Sequence, residues 1–484
     1  MQLTAVQRIL GLLLMLFSIT LLPPLAVSYA YDDGVTTPFL VSFCLTLLTG
    51  LFFWWPVRRR RSELRMRDGF LIVVMFWTVL GLFGALPLML SHQPHLSITD
   101  AVFESISGLT TTGATIIAAG LDTLPKSILY HRAQLHFLGG MGIIVLAVAI
   151  LPLLGIGGMQ LFRAETPGPM KDSKLTPRIT ETAKGLWYVY LILNIACTLA
   201  FWAGGMSFFD AITHAFSTLA LGGFSTHDAS FGYFNSPLLE AIAIFFMFLA
   251  GMNFALHFLA WRANSWKVYT QDSEWQVYMW LLLISLVLVV GYLWLSGTYA
   301  DPLTALRHGT FQLVSLATTT GFITTGFADW PGFLPVFILL TSLVVSCAGS
   351  TGGGIKAIRF LLLIKQGGRE IKRLIHPAAQ IPIKVGSKAV PDRVIEAVWG
   401  FFALWVATFI IMSMLLMATG LDAFSAFSGV LACMTNAGPG LGSVTMNFME
   451  VSDFGKWVLT FAMLLGRLEI FTLLVLLSPA FWRK

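Results

Sequence analysis

The sequence predicts an all-α polytopic membrane protein, with two N-terminal helices and four repeats of helix, re-entrant pore loop and helix around a pseudo-fourfold pore. The first observation is composition: apolar residues make up 56% of the 484 residues and charged residues 11%, against about 25% charged in soluble domains. The second is a series of apolar stretches, each near the roughly 20 residues that a membrane-spanning helix needs. The third is a frame that recurs four times between those stretches.

Ten apolar stretches are long enough to cross a bilayer. They lie at about 9–30, 37–56, 69–91, 133–154, 185–205, 236–261, 276–296, 333–365, 394–418 and 456–480. The first also resembles a signal peptide, because Arg8 precedes an apolar run. That run is longer than the 7–15 residues typical of a signal peptide's apolar core, so we expect an uncleaved helix.

The basic residues predict the orientation of the chain. If the N-terminus is cytoplasmic, 25 of the 30 Lys and Arg residues fall on the inside, as the positive-inside rule favours. The outside segments then carry three basic and twelve acidic residues. We therefore interpret the net charge of +6 as a topology signal, with no nucleic-acid partner, and expect an outer face that concentrates cations.

Four segments on the predicted outer side can be aligned with one another, position by position, and we call this shared alignment the frame. The segments are DAVFESISGLTTTG, DAITHAFSTLALGG, HGTFQLVSLATTTG and SAFSGVLACMTNAG, which begin at residues 100, 210, 308 and 425. Each ends in glycine. We call the last four residues of each frame a quartet. The quartets are Thr110-Thr111-Thr112-Gly113, Ala220-Leu221-Gly222-Gly223, Thr318-Thr319-Thr320-Gly321 and Thr435-Asn436-Ala437-Gly438.

Irregular backbone at membrane depth must be buried in protein or line a water-filled path, because lipid cannot satisfy its polar groups. We therefore expect four short helices of about ten residues to descend from outside, with Asp100 and Asp210 as N-caps. The quartets should then run extended with their carbonyls facing a shared axis. Stacked rings of carbonyl oxygens replace the hydration shell of potassium, so the sequence predicts a potassium filter.

A glycine-rich segment, CAGSTGGGIK at 347–356, interrupts the second helix of the third repeat. As a phosphate-binding loop it is a near miss, since Lys356 does not follow the final glycine directly and no strand precedes it. As a membrane serine protease site around Ser350 it lacks a paired histidine at an obvious position, His257 being the one clear intramembrane candidate. A kinked helix packed through its glycines remains an alternative to a functional loop.

Arg467 falls inside the last apolar stretch. An intramembrane arginine suggests a functional site, and a structural ion pair is the alternative. Glu469 is a poor partner for that pair, because side chains two residues apart on a helix do not face each other.

The chain resembles the Trk/Ktr/HKT superfamily of potassium transporters, and its bacterial Trk branch most closely. The resemblance covers essentially the whole chain and is carried by RDGFLIVVMFWTVLG, GLTTTGAT, GGFSTHDAS, AGSTGGGIK and GRLEIFTLL. It implies a homodimer with one pore per subunit, a ring of cytoplasmic nucleotide-binding regulatory subunits, and a gating loop under the filter.

In that gate the resemblance implies roles for Gly349, Ser350, Thr351, Gly352, Gly353 and Gly354. We expect Arg467 to hold the loop closed by hydrogen bonding its free carbonyls, since arginine carries five donors. In the superfamily, serine in place of the terminal glycine of the first quartet goes with sodium permeation. All four quartets of this chain end in glycine, which points to potassium. The second and fourth quartets lack the triple threonine, so we expect looser discrimination than in tetrameric potassium channels.

The residues and the resemblance together predict potassium uptake across a bacterial inner membrane. We expect a multi-pass protein that is surrounded by the lipid bilayer and has both termini in the cytoplasm. Potassium is the expected ion, and no organic cofactor or enzymatic activity is expected. A sodium-permeable or proton-coupled carrier remains open, although few titratable groups lie near mid-membrane; a membrane enzyme is disfavoured. We expect two N-terminal helices within 1–68, then repeats at 69–184, 185–275, 276–393 and 394–484, the third carrying the gating loop.

Overall fold

The computed structural model describes residues 2–59, 66–142, 179–386, 388–468 and 470–483. Two N-terminal helical segments precede the repeats: a broken one, Leu3–Ile19 followed by Leu22–Tyr31, and Thr36–Trp54. They cross closely, since a Cβ built at Gly11 would lie 2.7 Å from the Gly50 carbonyl oxygen. Small residues permit such approach between membrane helices.

Four units follow, each with a long first helix. These are Met66–Gly84 continued by Leu86–Leu90, Ile179–Ala203, Ser273–Leu295, and Asp392–Ala418. Within the described residues, six helices are long and apolar enough to cross a membrane, or up to eight if each of two sharply bent pairs counts as one span. The ten predicted stretches exceed this number because the stretch at 133–154 runs beyond the described residues, and the stretch at 333–365 is divided by the glycine-rich loop.

A shorter helix, here called the pore helix, comes next in each unit. The four pore helices are Ile98–Leu109, Phe208–Ala220, Pro302–Ala317 and Ala423–Thr435. Even the longest, at 16 residues, extends only about 24 Å, which is less than the roughly 30 Å hydrocarbon thickness. All nine residues of the first pore helix from 101 to 109 are buried. The predicted fold class is confirmed.

The predicted N-caps were wrong in the first two units. The N-caps there are Ser97 and Ser207, whose hydroxyls accept from the backbone amides of Asp100 and Asp210. The two aspartates occupy the third helical position, where they also accept from the same serine hydroxyls. Asp301 and Asp422 are the N-caps of the third and fourth pore helices. The acids still lie at the positive end of the helix dipole.

The second helix of each unit packs behind a pore helix. It is Lys126–Met141 in unit 1, Pro237–Ala250 plus Phe254–Ala263 in unit 2, Leu334–Thr341 and Ala357–Ile375 in unit 3, and Asp453–Arg467 plus Phe471–Leu477 in unit 4. The unit 2 pair bends by 91° and the unit 4 pair by 118°. The sequence predicted the break in unit 3 but treated the stretches at 236–261 and 456–480 as single spans.

Further short elements include the helices Lys267–Gln271 and Pro479–Trp482, and a two-stranded antiparallel hairpin of Lys384–Val385 with Lys388–Ala389. Five 3-10 helices among the described residues lie at Trp55–Val57, Leu121–Thr123, Ser230–Phe234, Phe327–Asp329 and Gly442–Val444. The hairpin lies between the unit 3 helix Ala357–Ile375 and the first helix of unit 4. The side on which the four pore helices begin is called the mouth face below.

Candidate functional site

The four quartets share one backbone conformation. In each, the second residue has positive φ: 53° at Thr111, 55° at Leu221, 64° at Thr319 and 55° at Asn436. The third residue of each quartet donates its N–H to the carbonyl five residues earlier, at 2.7–2.8 Å. This bond is the mark of a Schellman helix cap. The expectation that all four residues run extended was therefore wrong, because the first two close the pore helix and only the last two leave it.

Each terminal glycine lies against the neighbouring quartet, so that the four quartets form a closed ring. A Cβ built at Gly113 would lie 3.1 Å from the Gly222 carbonyl carbon, and one at Gly223 would lie 3.1 Å from the Gly321 carbonyl carbon. The ring continues, since a Cβ at Gly321 would lie 3.4 Å from the Ala437 carbonyl carbon, and one at Gly438 would lie 2.7 Å from the Thr112 carbonyl oxygen. All four glycines also have positive φ, from 77° to 88°. A side chain is excluded both by the backbone angle and by the neighbouring quartet.

The quartet threonines are bonded within the protein. Thr110 and Thr112 share a hydrogen bond of 2.7 Å, and Thr318 and Thr320 share one of 2.8 Å. These hydroxyls are therefore engaged within their own quartets. They hold the turn of each quartet.

Asn436 links unit 4 to unit 1. Its side-chain amide donates to the Thr112 hydroxyl at 2.9 Å and to the Met463 carbonyl at 3.1 Å. Asparagine is among the few residues that adopt positive φ at low cost. Sequence reasoning placed Asn436 in the quartet but did not predict this bridge.

A cavity opens from the ring toward the mouth face. All four terminal glycines line it, together with Arg132, His227 and Asp228. His227 is held between two carboxylates, with Nδ1 hydrogen bonded to Asp122 and Nε2 lying 3.5 Å from Asp210. Burial alone lowers the pKa of His227, but the two carboxylates outweigh burial and raise that pKa above its ordinary value.

On the other side of the ring, residues 342–356 form a closed hairpin-like loop, which we call the intramembrane loop. Its two arms are joined by hydrogen bonds from Ile355 N to Leu343 O, at 2.6 Å, and from Ala357 N to Ser346 O, at 2.9 Å. Gly354, at φ 75°, completes the turn. The predicted interruption of the second helix by a glycine-rich segment is confirmed.

The tip of the intramembrane loop contacts three units. Thr351 Oγ1 donates to Leu219 O of the second pore helix at 2.9 Å, and Gly353 N donates to the Thr319 hydroxyl at 2.8 Å. A Cβ built at Gly353 would lie 2.8 Å from the Thr435 carbonyl carbon. The loop therefore lies directly against the bases of quartets 2, 3 and 4.

Arg467 holds the same tip from unit 4. Its guanidinium donates to Thr351 O at 2.9 Å and to Gly139 O at 3.2 Å. It is buried and lies 5.5 Å from the Trp77 ring centroid. The predicted hydrogen bond from Arg467 to a loop carbonyl is confirmed, while Glu469 lies outside the described residues.

The flanks of the loop are fixed to the break in unit 2 and to the first helix of unit 3. Cys347 N donates to Gly251 O and Phe254 N donates to Gly349 O, both at 3.0 Å. The Glu274 carboxylate accepts from Ala348 N at 2.8 Å. Gly251 and Asn253 were the available sequence signals for the break in unit 2, since Asn253 caps the following helix.

The serine protease alternative at Ser350 fails on geometry. Ser350 Oγ donates to Cys347 O at 2.6 Å, as a turn hydroxyl does, and Gly349 and Gly352 lie in the packed loop around it. His257 instead bonds the Tyr269 hydroxyl at 2.9 Å and Leu249 O at 3.0 Å. Ser350 and His257 therefore do not pair with each other.

Comparison with known proteins agrees with this architecture. Residues 37–484 match the TrkH family model, described as a cation transport protein. The chain is 55% identical to the Trk system potassium uptake protein TrkH of Vibrio parahaemolyticus and 53% identical to that of Escherichia coli K12, each over the full length of both proteins. It is 41% identical to the Escherichia coli TrkG protein over 99% of this chain and 98% of TrkG.

A solved structure has the same fold. The crystal structure of the potassium transporter TrkH from Vibrio parahaemolyticus superimposes with a TM-score of 0.91 at 53% identity, covering all of both chains. Full-length identity above half, a matching family model and a shared fold lead to one conclusion. This chain belongs to the TrkH family of cation transport proteins.

Proposed function

We propose that this chain is the potassium-conducting subunit of an uptake system, and that the four quartets form its selectivity filter. The closed ring of terminal glycines carries the proposal, because it brings the carbonyls of four different segments to one place. Such carbonyl rings substitute for the hydration shell of potassium. The relatives named as potassium uptake proteins support the same ion. Potassium is the transported substrate, and no organic cofactor takes part.

The mouth face is proposed to be external, with both termini in the cytoplasm of a bacterial inner membrane. The basic residues support this orientation through the positive-inside rule. An inside-negative potential supplies about 2.3 kcal/mol per charge per 100 mV, so potassium entry needs no chemistry in this chain.

The intramembrane loop is proposed to be the gate. Its tip lies against quartets 2, 3 and 4 and is bound by Arg467, so potassium leaving the filter meets the loop before the cytoplasm. We propose that a cytoplasmic ring of nucleotide-binding regulatory subunits moves this loop, acting on a homodimer of the chain. The helix Ala357–Ile375, which continues directly from the loop, carries five Lys and Arg residues and supports a cytoplasmic connection.

The test is ion flux through the purified full-length protein in liposomes, with Gly113→Ser as the variant. A Cβ at Gly113 would overlap the Gly222 carbonyl, so we expect the potassium-to-sodium flux ratio to fall about tenfold, which corresponds to ~1.4 kcal/mol. Gly205→Ser is the matched control, because Gly205 also has positive φ, at 104°, but a Cβ there meets nothing within 4 Å.

Two results would contradict the proposal. One is a folded wild-type protein that neither carries potassium nor restores growth of a potassium-uptake-deficient bacterium at low potassium. The other is an equal change of the flux ratio in both glycine variants. Flux that requires a proton gradient would instead favour a coupled carrier.

A further inference from the structure

One position of the pore-helix frame bonds to the segment that follows each quartet. The fifth residue of the frame is Glu104, His214, Gln312 or Gly429 in units 1 to 4. Glu104 accepts from Ile116 N at 3.0 Å, His214 Nε2 lies 3.0 Å from the Ser225 hydroxyl, and Gln312 donates to Thr325 O at 2.9 Å. In unit 4 the neighbouring Ser428 replaces the missing side chain.

Ser428 Oγ accepts from Leu441 N at 2.9 Å and donates to Leu441 O at 3.0 Å. Every quartet is thus followed by a segment fastened to its own pore helix. The four fastenings differ in chemistry, and only that of unit 1 is an ion pair of two buried side chains.

In unit 1 the partner is Arg132 on the second helix. Arg132 Nε donates to Glu104 at 2.8 Å, and a second guanidinium nitrogen lies 2.7 Å from the same carboxylate. Glu104 also accepts from the Thr115 hydroxyl at 3.0 Å. The relative exposures of Glu104 and Arg132 are 0% and 1%, so both charged groups are shielded from water and are paired with each other.

The pair also extends beyond unit 1. Arg132 donates to Ser225 O at 3.3 Å, and its guanidinium lies 4.1 Å from the centre of the Phe224 ring, both in unit 2. Thr115 O accepts from Phe448 N of unit 4 at 2.8 Å. The Glu104 carboxylate therefore holds the backbone just past Gly113, and that backbone is joined to unit 2 through Arg132 and to unit 4 through the Thr115 carbonyl.

We propose that the fifth residue of the frame in units 1 to 3, and Ser428 in unit 4, are positioning residues of the filter, and that Glu104, through Arg132, has the largest influence on ion discrimination. This inference rests on the proposed function. Its physical basis is that carbonyl ligands can favour one cation only while their positions are held, and a buried charge-assisted bond holds them most firmly.

Two effects of Glu104→Gln can be separated. Arg132 lines the mouth cavity, and without Glu104 its charge opposes potassium and sodium alike, which lowers both fluxes. Loosening the backbone past Gly113 instead changes the ratio of the two fluxes. The flux ratio therefore reports positioning of the backbone, and total flux reports the unpaired charge of Arg132.

The experiment measures potassium and sodium flux of the full-length protein in liposomes, beside its thermal stability. We expect Glu104→Gln to lower the potassium-to-sodium ratio about tenfold. Glu240→Gln is the matched control, since Glu240 is also buried and pairs with Arg307 at 2.6 Å, but at the rim of the mouth face. This control should lose stability and keep its ion ratio.

If Glu104→Gln does not fold, the potassium-to-sodium flux ratio of Gln312→Ala provides a second test. Only a neutral bond is lost there, so we expect about a threefold fall in the ratio. A folded Glu104→Gln or Gln312→Ala protein with the wild-type ratio overturns the inference, as does an equal fall in Glu240→Gln. If Gly113→Ser also leaves the ratio unchanged, the filter assignment itself fails, which separates the two proposals.

Discussion

Replacing Gly353 with alanine should open the pathway. Gly353 lies at the tip of the intramembrane loop, where its amide donates to the Thr319 hydroxyl. Its φ lies outside the positive range, so alanine can adopt the backbone without strain. The added Cβ would, however, lie 2.8 Å from the Thr435 carbonyl carbon and 3.1 Å from Asn436 Cβ. The change therefore adds one methyl group between the loop and quartet 4.

The size of the effect follows from these distances. Carbon atoms pack best at about 3.5–4.0 Å, so the loop must retreat by more than half an ångström to admit the methyl group. Overpacking of this kind typically costs ~1–3 kcal/mol. The clash occurs only while the loop lies against the filter, so the full free-energy cost destabilises the closed state and leaves the open state unchanged. At ~1.4 kcal/mol per tenfold, the open population should rise about 5- to 100-fold while it remains the minor state.

The assay is potassium influx into liposomes containing purified protein without any regulatory partner. Gly368→Ala is the control, because Gly368 lies on the helix that continues from the loop and a Cβ there meets nothing within 4 Å. Its flux should equal that of the wild type. The potassium-to-sodium ratio is measured in the same preparation.

A stable Gly353→Ala protein with unchanged or lower flux refutes the reasoning. A fall in the ion ratio without a gain in flux would show that the Thr435 carbonyl yields to the methyl group instead of the loop. In that case the intramembrane loop is more rigid than the quartet, and its role as the gate is lost.

Two further predictions concern charged side chains. Arg467→Ala removes the guanidinium donors to Thr351 O and Gly139 O; at about 1.5–3 kcal/mol for bonds to a charged group, basal flux should rise ~10- to 100-fold with the ion ratio unchanged. A large fall in melting temperature without added flux would instead support a structural role. Because the pKa of His227 is raised in the folded protein, its stabilisation is complete below the ordinary pKa of about 6.5 and is lost as pH rises through the raised value. His227→Gln should thus cost more melting temperature at pH 6 than at pH 9, and parallel pH profiles would contradict the assignment.

The quartets could be predicted from the sequence, because four glycines at similar spacing after short apolar segments have few structural explanations. The turn at the second residue of each quartet could not be predicted. Thr111 and Thr319 have positive φ, which a β-branched residue avoids when local preference decides. Here the pore helix and the neighbouring quartets impose the angle. Only Asn436 has a side chain suited to it.

The helix breaks show the same limit. Glycines at 349 and 352–354 marked the break in unit 3, whereas the break in unit 4 turns at Ile470, with φ 53°. No local preference of isoleucine predicts that angle. The first two N-caps, by contrast, were readable, since Ser97 and Asp100 are spaced as in a capping box, but the frame was counted from the aspartate.

Because the glycine ring is made from four different segments of one chain, mutation can change one quarter of the ring at a time. In a pore built from four identical subunits, a single codon alters every ligand at that level together. Here Gly113 and Gly321 follow three threonines, while Gly223 and Gly438 do not. Each quarter is thus free to diverge on its own, and under the proposed filter assignment ion preference becomes a property that can be adjusted in small increments.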